Sequence, residues 1–131
     1  MTIGEAIYAH LADHAGLAAL VGTKIYPGDI PQGVTPPVVV VQLISNPPIP
    51  AGGSSYALHG PRYQFSCWAD GYKGAVDVCE QVKNALMDYS GVMGGTSGVT
   101  VQWCMCENEY DLYDEELRRS GRAIDFIIWH E

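Results

Sequence analysis

Basic residues are scarce in this chain. Seven lysines and arginines stand against fifteen aspartates and glutamates, a formal charge of −8 over 131 residues. A lasting grip on nucleic acid needs a basic stripe that releases counterions from phosphate, and no such stripe is present. An acidic surface instead keeps a small protein in solution and repels a duplex. Long apolar runs are also missing: no stretch of about 18 apolar residues occurs, so no helical membrane span is expected. The opening residues, MTIGEAIYAHLADH, lack the basic leader and apolar run of a secretory signal, so the expectation is a protein that stays in the cytosol.

Catalytic signatures are absent too. No GxSxG, P-loop, GxGxxG or HExxH pattern occurs. The four cysteines contain no CxxC pair, the spacing that structural zinc uses. Cys67 and Cys79 fall on apolar faces and read as buried thiols. Cys104 and Cys106, two apart on an expected strand, would sit about 6.6–7 Å apart, at the edge of disulfide reach.

What remains is an ordinary globular composition, 47% apolar and 17% charged, of a length that suits one domain over residues 1–131. Thr2 and Glu5 form a capping box for a first helix carrying Ile3, Ile7 and Leu11, with Gly16 as its left-handed stop. Leu17, Leu20 and Val21 make one further helical turn before Gly22. Lys24 to Pro27 is a short extended segment. Val38 to Ile44 is a β-branched strand, apolar at both parities and so expected to be covered on both faces. Asn46 to Ser55, with three prolines and two glycines, is a long loop.

Arg62 to Trp68 alternates, with Tyr63, Phe65 and Cys67 on the core side. Asp70 is the expected cap of an amphipathic helix from Tyr72 to Tyr89, carrying Ala75, Val78, Cys79, Val82 and Leu86 on its apolar face. Ser90 to Gly98 is a glycine-rich turn region. A strand from Val99 to Cys106, an acidic loop over Glu107 to Glu116 and a last strand from Gly121 to His130 complete the chain. The expected fold is α+β, an antiparallel or mixed sheet of about four to five strands packed against an N-terminal helix and one long central helix. On the second sheet face, Cys104, Cys106, Ile127 and Trp129 are placed together with Trp68. That face is too apolar to stand bare, so the N-terminal helix or a neighbouring subunit should cover it.

Two constellations carry a chemical alternative. His10 and His14 lie one helical turn apart and approach an inverted metalloprotease pattern, but Asp13 replaces the glutamate and shortens the reach. The dipole at a helix C-terminus explains histidines there without a metal. The acids from Glu107 to Glu116 lack the spacing and glycine of a calcium loop, and Arg118, Arg119 and Arg122 partly balance them.

The order of short motifs is distinctive. AGLAALVG (15–22) leads into KIYPG (24–28), PQG (31–33), the Pro36-Pro37 pair and VVVVQ (38–42), then RYQFSCWA (62–69) and NEYDLYD (108–114). Together they resemble, over nearly the whole chain, the tail completion proteins of long-tailed bacteriophages and prophages, also called tail terminators or tail-to-head joining proteins. The resemblance implies a small α+β structural protein of the virion tail, assembled in the host cytoplasm. It implies a homo-oligomeric ring, a hexamer, on the head-proximal end of the tail tube. There it ends tube polymerisation, with the tail tube protein and a head completion or connector protein as partners. No cofactor, metal, catalytic residue, membrane or stable nucleic-acid contact is implied.

The family's recurrent positions here are Tyr26, Pro27, Gln32, Gly33, Trp68, Asp111 and Tyr113. Subunit or partner contacts are expected at Pro47, Pro48, Ile49, Gly52 and Gly53 in the long loop. Others are expected at Tyr113, Glu115, Arg118 and Arg119, where an arginine of one copy could pair with the acidic segment of the next. The alternatives are another head–tail connector, a minor tail component, or a metal-binding hydrolase using His10 and His14.

Overall fold

The computed structural model describes residues 1–48 and 58–131. Its elements run α1 (Ile3–Asp13), α2 (Ala15–Val21), β1 (Ile25–Pro27), β2 (Val38–Ser45), β3 (Arg62–Ala69), α3 (Tyr72–Leu86), β4 (Gly91–Met93), β5 (Val99–Asp114) and β6 (Arg119–His130). The strands form one six-stranded sheet in the order β1-β2-β3-β6-β5-β4. β1 lies parallel to β2, and the other pairs are antiparallel. The fold is therefore α+β with a mixed sheet, slightly wider than the sequence suggests because β4 arises inside the glycine-rich segment.

The capping box forms as expected. Thr2 Oγ1 accepts from the Glu5 amide at 3.2 Å, and the Glu5 carboxylate accepts from the Thr2 amide at 3.3 Å. The stop does not. The helix breaks at His14, which is extended (φ −77°, ψ 111°), and Gly16 lies inside α2 instead. There it faces the end of the Gln81 side chain of α3. Gly22, at φ 61°, is the left-handed residue that ends the helical pair.

All three helices pack on one sheet face. Ile7 and Leu11 of α1, Leu17 and Val21 of α2, and Val78, Val82 and Leu86 of α3 close on Val39, Phe65, Ile124, Phe126 and Ile128. Each fully buried aliphatic chain stabilises by about 1.5–3 kcal/mol. Helix α3 starts at Tyr72 as expected, but its N-cap is Gly71 rather than Asp70, and no side chain caps it. It ends at Leu86 rather than Tyr89. Asp88, at φ 56°, turns the chain so that the Asp88 amide donates to the Cys104 carbonyl, and the Cys104 amide donates to Tyr89.

Three further expectations are corrected. β2 is covered only in its first half: Val38 and Val39 are buried, whereas Leu43 is 49% and Ile44 45% exposed. β1 has already ended, opposite Val41. Next, the segment expected to be an acidic loop is the second half of β5, paired with β6 out to Asp114 opposite Arg119. Finally, register shifts between Val101 and Trp103 and between Cys106 and Asn108 reverse the parity of β5. Cys104 and Cys106 therefore sit opposite Ile128 and Phe126 on the helix side, while Trp103 and Met105 join Trp129 and Ile127 on the far face.

Candidate functional site

The far face of the sheet is the part of the described molecule that no helix covers. Helix α1, one of the two expected covers, lies on the other side. Two devices finish the tip end of this face. The first is the loop from Gly28 to Val34, with Gly28 (φ 78°) and Gly33 (φ 87°) in conformations that favour glycine. The second is the β5–β6 turn, where Asp114 Oδ1 accepts from the amides of Glu116 (3.1 Å) and Leu117 (3.3 Å), and Arg118 takes φ 51°. Between them lies a cleft of about 540 Å³ that includes Gln32, Gly33, Val40, Trp68, Leu117 and Arg119. Trp68 is part of its lining and packs its ring against Gly121, where a Cβ would be only 2.7 Å from the ring. The fold thus brings the adjacent Gln32 and Gly33 together with Trp68, 35 residues further on in the sequence.

The expected contact residues separate into two groups. Tyr113, Glu115, Arg118 and Arg119 are together at the β5–β6 turn, where Tyr113 is 62% exposed. Pro47 and Pro48 follow β2 as exposed residues at the opposite end of the sheet. Ile49, Gly52 and Gly53 lie outside the described residues. Pairing of acids with arginines from a neighbouring copy is restricted by bonds already made within the chain. Arg122 Nε donates to Asp111 at 3.0 Å, and Lys83 of α3 reaches Glu109 at 2.8 Å. The Glu109 hydrogen bond holds the Lys83 ammonium above its ordinary value against the opposing effect of burial. Glu107, Asp114, Glu115, Glu116, Arg118 and Arg119 form no ion pair among the described residues.

Further along the far face, Arg62 Nη2 donates to Asp125 Oδ2 at 2.6 Å, with the aspartate side chain 5% exposed. Gln64 Nε2 donates to the Tyr110 hydroxyl at 2.9 Å. Sequence reasoning missed this polar track. Its signal was the even parity of Arg62, Gln64 and Ser66.

The histidine alternative is not assembled. His10 Nε2–H donates to the Ala85 carbonyl at 2.7 Å and its ring packs on Tyr89 at 4.4 Å, so it ties α1 to the end of α3. His14 marks the helix break. Among the described residues no group of three or more His, Cys, Asp or Glu side chains is placed to hold a metal. The four thiols are free. Burial pushes Cys104 up to about 12, and a hydrogen bond with Cys79 together with burial raises Cys67 well above the ordinary thiol range.

A second hollow, about 720 Å³, lies on the helix side, between the start of α1 and the outer edge of β1 and β2. Tyr8, Pro27, Leu43 and Tyr63 are among its walls.

The model of the family described as tail completion protein gp17 matches residues 5–131. Among curated proteins, none matches the sequence. A chain of a solved structure titled "Virion of native gene transfer agent (GTA) particle" superposes with a TM-score of 0.72 at 22% identity, over 95% of this chain and 91% of that one. At that identity the likeness is one of fold.

Proposed function

The chain belongs to the tail completion protein gp17 family, and on that premise we propose that it works as a ring on the head-proximal end of a phage-type tail tube. In that position it ends tube polymerisation and offers the head connector a surface to dock on. It is a structural virion component, and the residues we assign to it make contacts rather than bonds.

The observation that carries this reading is the separation of its two contact segments. The β5–β6 turn and the Pro47–Pro48 segment sit at opposite ends of one sheet, divided by the eight residues of β2. At about 3.3 Å per residue that is about 26 Å. A joining piece has to meet one partner above and a different one below, and a rigid sheet with a contact segment at each end suits that task. The charge of −8 suits a collar through which phosphate must pass without being held. Assembly in the host cytoplasm, with six copies in the ring, completes the proposal.

The test is tube growth. Tail tube subunits polymerising in the presence of this protein should give tubes capped at one end that stop lengthening, with ring density visible at that end by electron microscopy. Tubes that lengthen at an unchanged rate with bare ends would overturn the reading. In that event binding to purified heads would assign the chain to the connector side instead.

A further inference from the structure

We infer that Cys67 and Cys79 are a latent disulfide, two thiols that a peroxide joins into a clamp between strand β3 and helix α3. The setting rests on the virion reading above, since a virion component is made in a reducing cytoplasm and then leaves it. The clamp itself is a property of the single chain.

The fold sets the two residues against each other. Helix α3 turns back over the strand it follows, and the approach is close at its start, where a Cβ on Gly74 would lie 3.0 Å from the Ala69 Cβ. From Gly74 to Cys79 the helix advances about 7.5 Å, and from Ala69 back to Cys67 the strand covers about 6.6 Å. Cys79 is thereby carried over Cys67. Both are buried in one core cluster, and a hydrogen bond joins their side chains. Closing the bond asks the sulfurs to move from hydrogen-bond reach to about 2.05 Å. Cys104, by contrast, is raised by burial alone.

The surroundings favour one direction of attack. The hydrogen bond from Cys67 lowers Cys79 from the ordinary thiol value, against burial and Glu109, and Lys83 and Arg122 act in the same lowering sense. Lys83 is one turn along α3 from Cys79, and Arg122 is directly opposite Cys67 in β6. Cys67 is raised well above the thiol range and keeps its proton. The Cys79 thiolate therefore attacks one oxygen of hydrogen peroxide and the O–O bond breaks. The hydroxide that leaves takes up the proton Cys79 gave away, and Cys79 becomes a sulfenic acid. The Cys67 sulfur then attacks the Cys79 sulfur, and the hydroxyl departs with the Cys67 proton as water. Two thiols and one peroxide become one disulfide and two waters. Both sulfurs are buried, so peroxide reaches them through local opening of α3.

Peptide mapping tests the bond directly. Hydrogen peroxide on the purified, reduced chain should remove two hydrogens from its intact mass. Trypsin should then release residues 63–73 and 74–83 as one linked species that dithiothreitol separates. Closing so short a loop should raise Tm by about 5–10 °C, a gain that reductant reverses. Cys106→Ala should keep the link and the gain, whereas Cys67→Ala and Cys79→Ala should lose both. Where an alanine variant fails to fold, the map of the unmodified chain decides alone. A link from Cys79 to Cys106, or oxygen gained at Cys106 while 63–73 and 74–83 stay separate and open to alkylation, overturns the inference. These readings are made on the isolated chain, so they stand or fall apart from the ring: bare, lengthening tubes would remove the proposed function and leave the disulfide in place.

Discussion

Gly121→Ala is the sharpest probe of how the far face is built. Gly121 is in β6 directly opposite Trp68 of β3, and a methyl there would lie 2.7, 2.9 and 3.1 Å from three carbons of the indole. No such approach is tolerated, so the ring must shift and the cleft lining with it. Overpacking of this kind costs about 1–3 kcal/mol. Against it, removing a glycine from a strand interior stabilises by roughly 0.5–1 kcal/mol, because the unfolded chain loses freedom. The balance is a loss of about 0.5–2 kcal/mol, or a fall in Tm of about 2–10 °C for a domain of this length. The sign should reverse once the ring is gone: in a Trp68→Leu background, Gly121→Ala should raise Tm by about 2–5 °C. Scanning calorimetry of the four proteins closes the cycle. Equal shifts in both backgrounds would show that the indole does not pack against Gly121, and the description of the cleft lining would fall with that result.

Acid should weaken the fold through His130. Burial and the nearby His59 ring hold it below its ordinary value near 6.5, so the unfolded chain binds its proton more readily than the native one. Stability is then full above about pH 6.5 and declines as pH falls below it; His130→Asn should flatten the dependence of Tm on pH between 5 and 7, and an unchanged slope would refute the assignment. Thiol accessibility gives another check: Cys67, Cys79 and Cys104 are buried and Cys106 half-buried. Maleimide on the native protein, read by peptide mass, should label Cys106 first and slowly, since burial and Glu109 raise that thiol too; rapid labelling of Cys104 would contradict the β5 parity. The Arg62–Asp125 pair predicts a non-additive result, because Arg62→Ala strands a carboxylate whose side chain is 5% exposed. Adding Asp125→Leu should recover most of the lost Tm, whereas simple addition of two losses would mean the pair is not coupled.

How far the fold was legible depends on how local its causes are. β3 and α3 were readable because each carries its own periodicity: the alternation from Arg62 to Ala69 and the apolar stripe from Ala75 to Leu86 need no knowledge of neighbours. β2 was half readable. Its valines report a preference for burial, but coverage ends where β1 ends, and that is decided by a different segment. β5 was misjudged for two physical reasons. Bulges after Val101 and after Cys106 shift parity without leaving a mark in composition. The density of acid in its second half also looks hostile to a strand until Lys83, 26 residues away on α3, and Arg122 across the hairpin are seen to pair with Glu109 and Asp111.

The candidate contact residues show the same limit from the functional side. Sequence reasoning selected two segments, the long loop with Pro47 and Pro48 and the acidic stretch with Tyr113, Glu115, Arg118 and Arg119, with no means of telling that they belong to two different ends of the molecule. Strand direction supplies that. β2 leaves the cleft end at Val38, opposite Trp68, and reaches Ser45 opposite Arg62, while β5 runs from its pairing with His130 to its pairing with Arg119. The Pro47–Pro48 segment is therefore carried away from the β5–β6 turn by the length of the sheet. The end of the expected acidic loop becomes a turn of fixed shape, held by one aspartate and two backbone amides. The hollow between α1 and the edge of β1 and β2 was never visible as a motif, because it consists of the place where a strand stops.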